Sequence, residues 1–271
     1  MPLLATPRVV FSRPEHDSAT KYGSYHILDI AIAEAKKNGI AFRDFMAEQA
    51  TRDNIWSCFD VFDPALFVMV GHGNPQVTCC QNNEVLFDRS VESGMKLKDR
   101  CATFLSCSWG QAAKDLVHLG MKGFHGYTED FVFVASIFPD TFASPFMRGH
   151  LEFAKVLLGG KSCGEAFEAC RQKWLAEIAE MDSYSARFAK ADYESMIFEG
   201  DAEFVPTPIE PIPPPKQKCC KCGAENFTCD ELIEHIRAVH LPPCPELERP
   251  GWCKVFGWVV GCPIPNQTEG S

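Results

Sequence analysis

Leu66-Phe67-Val68-Met69-Val70-Gly71-His72-Gly73 and Ala102-Thr103-Phe104-Leu105-Ser106-Cys107-Ser108 decide the fold. Each is an apolar run that stops abruptly at a chemically active residue. Runs of Val, Phe, Met and Leu bounded by Gly read as strands buried on both faces, the pattern of a parallel sheet. Sheets of that kind carry their functional residues at the carboxyl ends of the strands. Two neighbouring strands would bring His72 and Cys107 to one sheet edge. A Cys with a His delivered to it by the fold is the minimal kit for thiolate nucleophilic catalysis.

Working outward, Val9-Val10-Phe11 predicts a first strand and Ile40 to Phe45 a second, interrupted by Arg43-Asp44. A helix capped by Ser24 is expected through Ile27–Ala35, with Asn38-Gly39 as its stop. Further helices are expected over 54–62, 91–98, 110–119, 144–158 and 164–181. A strand is expected over 123–127, and a polar loop over 74–83. Strands alternating with helices predict a doubly wound, mostly parallel α/β sheet with helices on both faces.

The 271 residues suffice for one α/β domain and a small appendage, and 46% of them are apolar, enough for a sizeable core. No apolar run approaches the roughly 20 residues of a membrane span, and the N-terminus lacks the apolar centre of a signal peptide. The net charge of −10 argues against a surface that coats nucleic acid. Fourteen cysteines without a secretion signal, four of them between Cys219 and Cys229, point to a reducing cytoplasm and a zinc site rather than disulfides. Six prolines within 206–215 mark a stiff linker. The expected organisation is a domain over 1–200, a linker over 201–217, a zinc finger over 218–241 and an aromatic, Pro-rich tail over 242–271.

An apolar strand into His72-Gly73 followed by an apolar strand into Ser106-Cys107-Ser108 resembles the caspase-like (clan CD) superfamily of cysteine peptidases. Caspases, metacaspases, gingipains, clostripain, legumains and separases belong to it. The stretch Leu157-Leu158-Gly159-Gly160-Lys161-Ser162-Cys163-Gly164-Glu165-Ala166 resembles the helix junction of the gingipain and CHAT branch. The resemblance spans about residues 8–200. It implies a caspase-like fold, Cys107 as nucleophile and His72 as proton carrier. A Cys at a strand end before a helix N-terminus favours thiolate. The N–H groups of Gly73 and Cys107 are candidates for an oxyanion hole. No third acidic residue is implied, and none is assigned. The Gln-Ala-Cys form found in caspases is absent, so strict Asp-directed cleavage is not expected. Glu129 and Asp130 follow the strand after Cys107 and are candidates for binding a basic side chain, against the plainer reading of a solvated acidic loop.

Other candidates are weaker. His125-Gly126 repeats the His-Gly pair but follows the Cys. Gly160-Lys161-Ser162-Cys163-Gly164 matches a nucleophile elbow in letters, yet it follows a helix where that motif needs a strand. Cys79 and Cys80, close to His72 in the chain, read either as surface thiols or as cleft lining.

Cys219-x2-Cys222-x12-His235-x4-His240 fits the spacing of a closed, structural Zn2+ site in a ββα finger, with Phe227 and Leu232 as its small core. Asp230, Glu231 and Glu234 at the start of the finger helix would repel phosphates, so a protein partner is expected in preference to nucleic acid. The expected function is a cytoplasmic cysteine endopeptidase whose finger docks a partner or substrate protein. The alternatives are a catalytically inactive CHAT-like scaffold serving as a zinc-finger adaptor, and a nucleic-acid-associated regulator.

Overall fold

The two decisive runs become adjacent strands, paired from Leu66↔Cys101 to Val70↔Leu105 in parallel register. The structure, a computed structural model, describes residues 8–135 and 142–208. The chain divides into two units, 1–209 and 210–271. The expected finger and tail, and the linker beyond Pro208, lie outside the described residues.

In chain order the elements begin with β1 (Arg8–Arg13), α1 (Ser18–His26), a π-helical stretch Ile27–Ile32, and α2 (Ala33–Lys37). β2 (Ala41–Met46), α3 (Arg52–Phe62) and β3 (Leu66–Val70) follow. A small hairpin of β4 (Val77–Cys79) and β5 (Val85–Asp88) leads to α4 (Val91–Leu97) and β6 (Cys101–Leu105). After β6 come a 3-10 turn Trp109–Ala112, α5 (Ala113–His118) and β7 (Gly123–Tyr127). The domain closes with α6 (Ser144–Leu158), α7 (Cys163–Glu180), α8 (Ser183–Ser195) and β8 (Met196–Gly200). Among the described residues no helix is long and apolar enough to cross a membrane.

Six strands form one sheet in the order β2-β1-β3-β6-β7-β8. All neighbours are parallel except the β7–β8 pair. Every residue of β3, β6 and β7 is buried. Alternate residues explain this: Val68 and Leu105 belong to one apolar cluster with Leu151 and Trp174, while Phe67 and Phe104 belong to a second with Ile55 and Leu116. The expected doubly wound sheet with both faces covered is therefore the architecture observed.

Several local expectations needed correction. The first helix starts at Ser18, capped by Asp17 in a capping box with Thr20. Ser24 is not a cap; its hydroxyl donates to the Pro14 carbonyl inside the packed domain. Arg43-Asp44 does not break β2, because Asp44 accepts two hydrogen bonds from Arg13 of the neighbouring strand, at 2.8 and 2.7 Å. The polar loop after His72 contains the β4–β5 hairpin. The helix expected over 110–119 begins instead as a 3-10 turn. The antiparallel strand β8 and the helix α8 before it carried no expectation. Residues 202–207 fold back onto the α6–α7 corner: Cys163 and Gly164 N–H groups donate to the carbonyls of Phe204 and Ala202. The turn 160–164 does join two helices, with Ser162 capping α7.

The buried face of β6 and β7 carries a polar network rather than an apolar patch. Thr103 Oγ1 lies 2.7 Å from His125 Nδ1 and 3.2 Å from His150 Nε2, and the Tyr127 hydroxyl lies 3.0 Å from His150 Nδ1. Both rings are fully buried. Burial lowers His150 to about 3, and burial together with the neighbouring His150 pushes His125 well below its ordinary value. The unfolded chain takes up protons on these rings below about pH 6.5, where the folded chain does not. Their contribution to stability is therefore complete above that pH and is lost as the pH falls below it. In chemical denaturation, His150→Gln should lose less stability than the wild type between pH 7 and pH 5; an equal loss contradicts a neutral buried His150.

Candidate active site

The direction of the chain reverses once in the sheet. β1 connects outward to β2 through α1 and α2, and β3 then returns to the other side of β1. That reversal between β1 and β3 opens a crevice at the carboxyl ends of the strands. The segments after β1, β3 and β6 meet there and carry His16 and Asp17, His72, and Cys107 respectively.

His72 is held by its backbone. Its carbonyl accepts the Cys79 N–H at 2.8 Å and the Ser106 hydroxyl at 3.1 Å, and Thr78 Oγ1 donates to Ser106 Oγ at 2.9 Å. The hairpin thus ties the end of β3 to the end of β6. Gly73 makes this approach feasible: a methyl group there would sit 2.0 Å from Ser106 Oγ and 3.1 Å from the Cys107 carbonyl oxygen. Gly73 pairs with Thr78 across a bridge whose hydrogen bonds run through His72 and Asn74, so the Gly73 N–H is turned away from the hairpin.

Cys107 stands one residue before a left-handed Ser108, at φ 55°. The Ser108 N–H donates to the Glu129 carbonyl at 2.9 Å, and its hydroxyl to Asp130 at 2.8 Å. Glu129 and Asp130 are exposed and brace the Cys107 turn; neither lines the pocket beside the thiol. That pocket, of about 100 Å³, is lined by His72, Cys107, Ser106, Thr20 and the rings of Phe131 and Phe133.

The side chains of the pair point to other partners. His72 Nε2 lies 2.5 Å from Asp17 Oδ2. Cys107 Sγ lies 3.8 Å from the Phe131 carbonyl oxygen. Among the described residues no hydrogen bond joins His72 to Cys107. Burial pushes the Cys107 thiol above its ordinary range, backbone hydrogen bonding at Phe131 works against this, and the Asp130 and Asp192 carboxylates add to it. This corrects the expectation of a thiolate favoured by a helix N-terminus. A tight left-handed residue and a short 3-10 turn stand between Cys107 and α5, and desolvation dominates.

Three acids and bases of the site carried no sequence expectation. Asp17 is one: burial works to raise it, but hydrogen bonds from the Thr20 N–H, His72 and the Thr20 hydroxyl outweigh that and hold it at about 2. His16 packs edge-on to His72 with ring centres 5.7 Å apart. Asp192, on α8, is buried and accepts the Val132 N–H at 3.0 Å, while its Oδ2 has no partner. Burial pushes it up to about 8 despite that hydrogen bond. A capping pattern, Asp17 with Thr20, was the available signal for the first. The others depend on segments far apart in the chain.

The competing candidates take structural places. His125 lies inside β7, not at its end. Cys79 and Cys80 are buried rather than surface thiols. Cys107 alone among the seven described cysteines is partly exposed. Peptide mapping after limited iodoacetamide treatment should find Cys107 alkylated before the other six, at a rate that climbs through alkaline pH. A rate already level at pH 7 contradicts the raised thiol.

No protein-family model matches the chain, and no curated protein does. Among solved structures, it is similar to the complex of Porphyromonas gingivalis RgpB pro- and mature domains, at 12% identity and TM-score 0.49, over 74% of this chain and 48% of that one. It is similar to a protease at 12% identity and TM-score 0.41, over 81% and 54%. It is also similar to the pyridoxal kinase from Staphylococcus aureus in complex with AMP-PCP, at 14% identity and TM-score 0.35, over 72% and 98%. The chain spans about half the length of the first two.

Proposed function

We propose that the described domain is a cysteine endopeptidase acting through Cys107 and His72. The observation that carries this reading is their convergence on one small pocket at the carboxyl edge of adjacent parallel strands. In the proposed reaction, Cys107 Sγ attacks the peptide carbonyl carbon as its proton passes to His72. The N–H groups of Gly73 and Cys107 receive the developing oxyanion. His72 then donates the proton to the leaving amine as the C–N bond breaks, leaving a thioester. Water, activated by His72, hydrolyses the thioester and restores the thiol. With Nε2 on Asp17, the Nδ1 atom is the nitrogen left to carry the proton. Asp17 acts as a positioning residue that fixes the His72 ring.

The raised thiol and its contact with Phe131 favour a second reading, an inactive scaffold of the same fold. Cleavage of a fluorogenic peptide library by the full chain, with Arg, Lys, Asp, Asn or apolar residues before the scissile bond, separates the two. Turnover is expected in the wild type and absent in Cys107→Ala and His72→Ala. Asp17→Asn, which keeps a good helix cap, should lower kcat by about 100-fold with KM unchanged in a chain that stays folded. Turnover that survives Cys107→Ala overturns the peptidase reading.

For the second unit, Cys219, Cys222, His235 and His240 would hold a structural Zn2+, with two thiolates and two imidazoles closing a tetrahedron. The acidic residues Asp230, Glu231 and Glu234 support docking of a protein partner or substrate over nucleic acid. Zinc measured on the purified full chain should fall by one equivalent in Cys222→Ala. Unchanged zinc would remove the finger from the account.

A further inference from the structure

We propose that His16, Asp17 and His72 form a divalent-metal site of Zn2+ type, and that filling it withdraws His72 from catalysis. The metal site stands on geometry alone; its inhibitory effect rests on the peptidase reading above.

One donor atom from each of the three side chains lies within 4.8 Å of the other two. Asp17 Oδ2 is the shared centre, 2.5 Å from His72 Nε2 and 3.6 Å from His16 Nε2. Metal–ligand bonds of about 2.0–2.1 Å place the donors of a tetrahedral site about 3.3 Å apart. The His16–Asp17 edge is near that already, and the Asp17–His72 edge must open by less than about 1 Å. His72 and Asp17 have the room, with side chains 42% and 39% exposed.

The carboxylate is arranged for a single bond. Its Oδ1 accepts the Thr20 N–H at 2.9 Å in the capping box, which leaves Oδ2 to face both imidazoles. His16 is the more telling member. Its side chain is only 10% exposed, and its Nδ1 is buried with no hydrogen-bond partner. Besides Asp17, the polar neighbour of its Nε2 is Asn83 Oδ1 at 3.3 Å, a weak contact that coordination would replace. Coordination at Nε2 fixes the ring proton on Nδ1.

Two neutral imidazoles and one carboxylate suit Zn2+ and its neighbours rather than Mg2+ or Ca2+, which take oxygen ligands. Three protein ligands would leave the fourth position of a tetrahedral site to water. A metal at Nε2 of His72 leaves the ring proton on Nδ1, so that nitrogen can no longer accept the proton of Cys107.

The test uses the full chain carrying one equivalent of Zn2+ for the expected finger, titrated with Co2+. The wild type should take up a further Co2+ with visible ligand-field bands and no thiolate charge-transfer band. His16→Ala and His16→Gln should each weaken that uptake by about 100-fold, whereas Cys222→Ala should leave it in place. Zn2+ should inhibit the His16 variants about 100-fold less tightly than the wild type, each measured against its own activity in a chelator. Uptake unchanged in both His16 variants, or no thiolate-free Co2+ in the wild type, overturns the site. A chain without turnover that still binds Co2+ through His16 refutes the peptidase and keeps the metal site.

Discussion

A strand buried on both faces has only its ends available for chemistry. β3 and β6 show how strictly this applies, since every one of their residues is buried. The sheet therefore exports its reactive groups to one edge. The reversal of strand order between β1 and β3 decides where on that edge a crevice opens. His72 and Cys107 arrive there because their strands are neighbours, and Asp17 because its strand lies on the other side of β3.

The site is then assembled by backbone rather than by side-chain pairing. The β4–β5 hairpin grips the His72 carbonyl, Ser106 bridges the ends of β3 and β6, and Gly73 permits the close approach. Side chains are left to choose among partners. At rest His72 faces Asp17, and Cys107 faces the Phe131 carbonyl within a desolvated pocket. Such an arrangement favours a thiol over a standing thiolate. On the two proposals, Asp17 is the junction between two uses of His72, orientation for catalysis and metal binding with His16.

Much of the sheet could be read from the sequence because its signal is local. Val, Phe, Met and Leu in runs of five, ended by Gly or Ser, leave little choice of structure. That His72 and Cys107 come to one pocket was legible for the same reason, as both sit directly after such runs. What could not be read is what depends on distant segments. Asp44 looked like a strand breaker until Arg13 was placed beside it. His125 offered a second His-Gly pair in one dimension and is a core residue beside His150, the two joined through Thr103, with Tyr127 on His150. The expected helix-dipole effect on Cys107 failed because spacing alone does not reveal a left-handed Ser108. Asp192 reaches the site from α8, an element with no distinctive sequence signal.

The central claim is that Cys107 is a nucleophile worked by His72. The most direct measurement is intact-mass and peptide-mapping analysis after brief exposure of the full chain to a peptidyl electrophile that requires enzymatic activation. The account predicts a single adduct on Cys107 that is lost in His72→Ala. An adduct on Cys107 that forms equally well without His72, or one that settles on another cysteine, would contradict it.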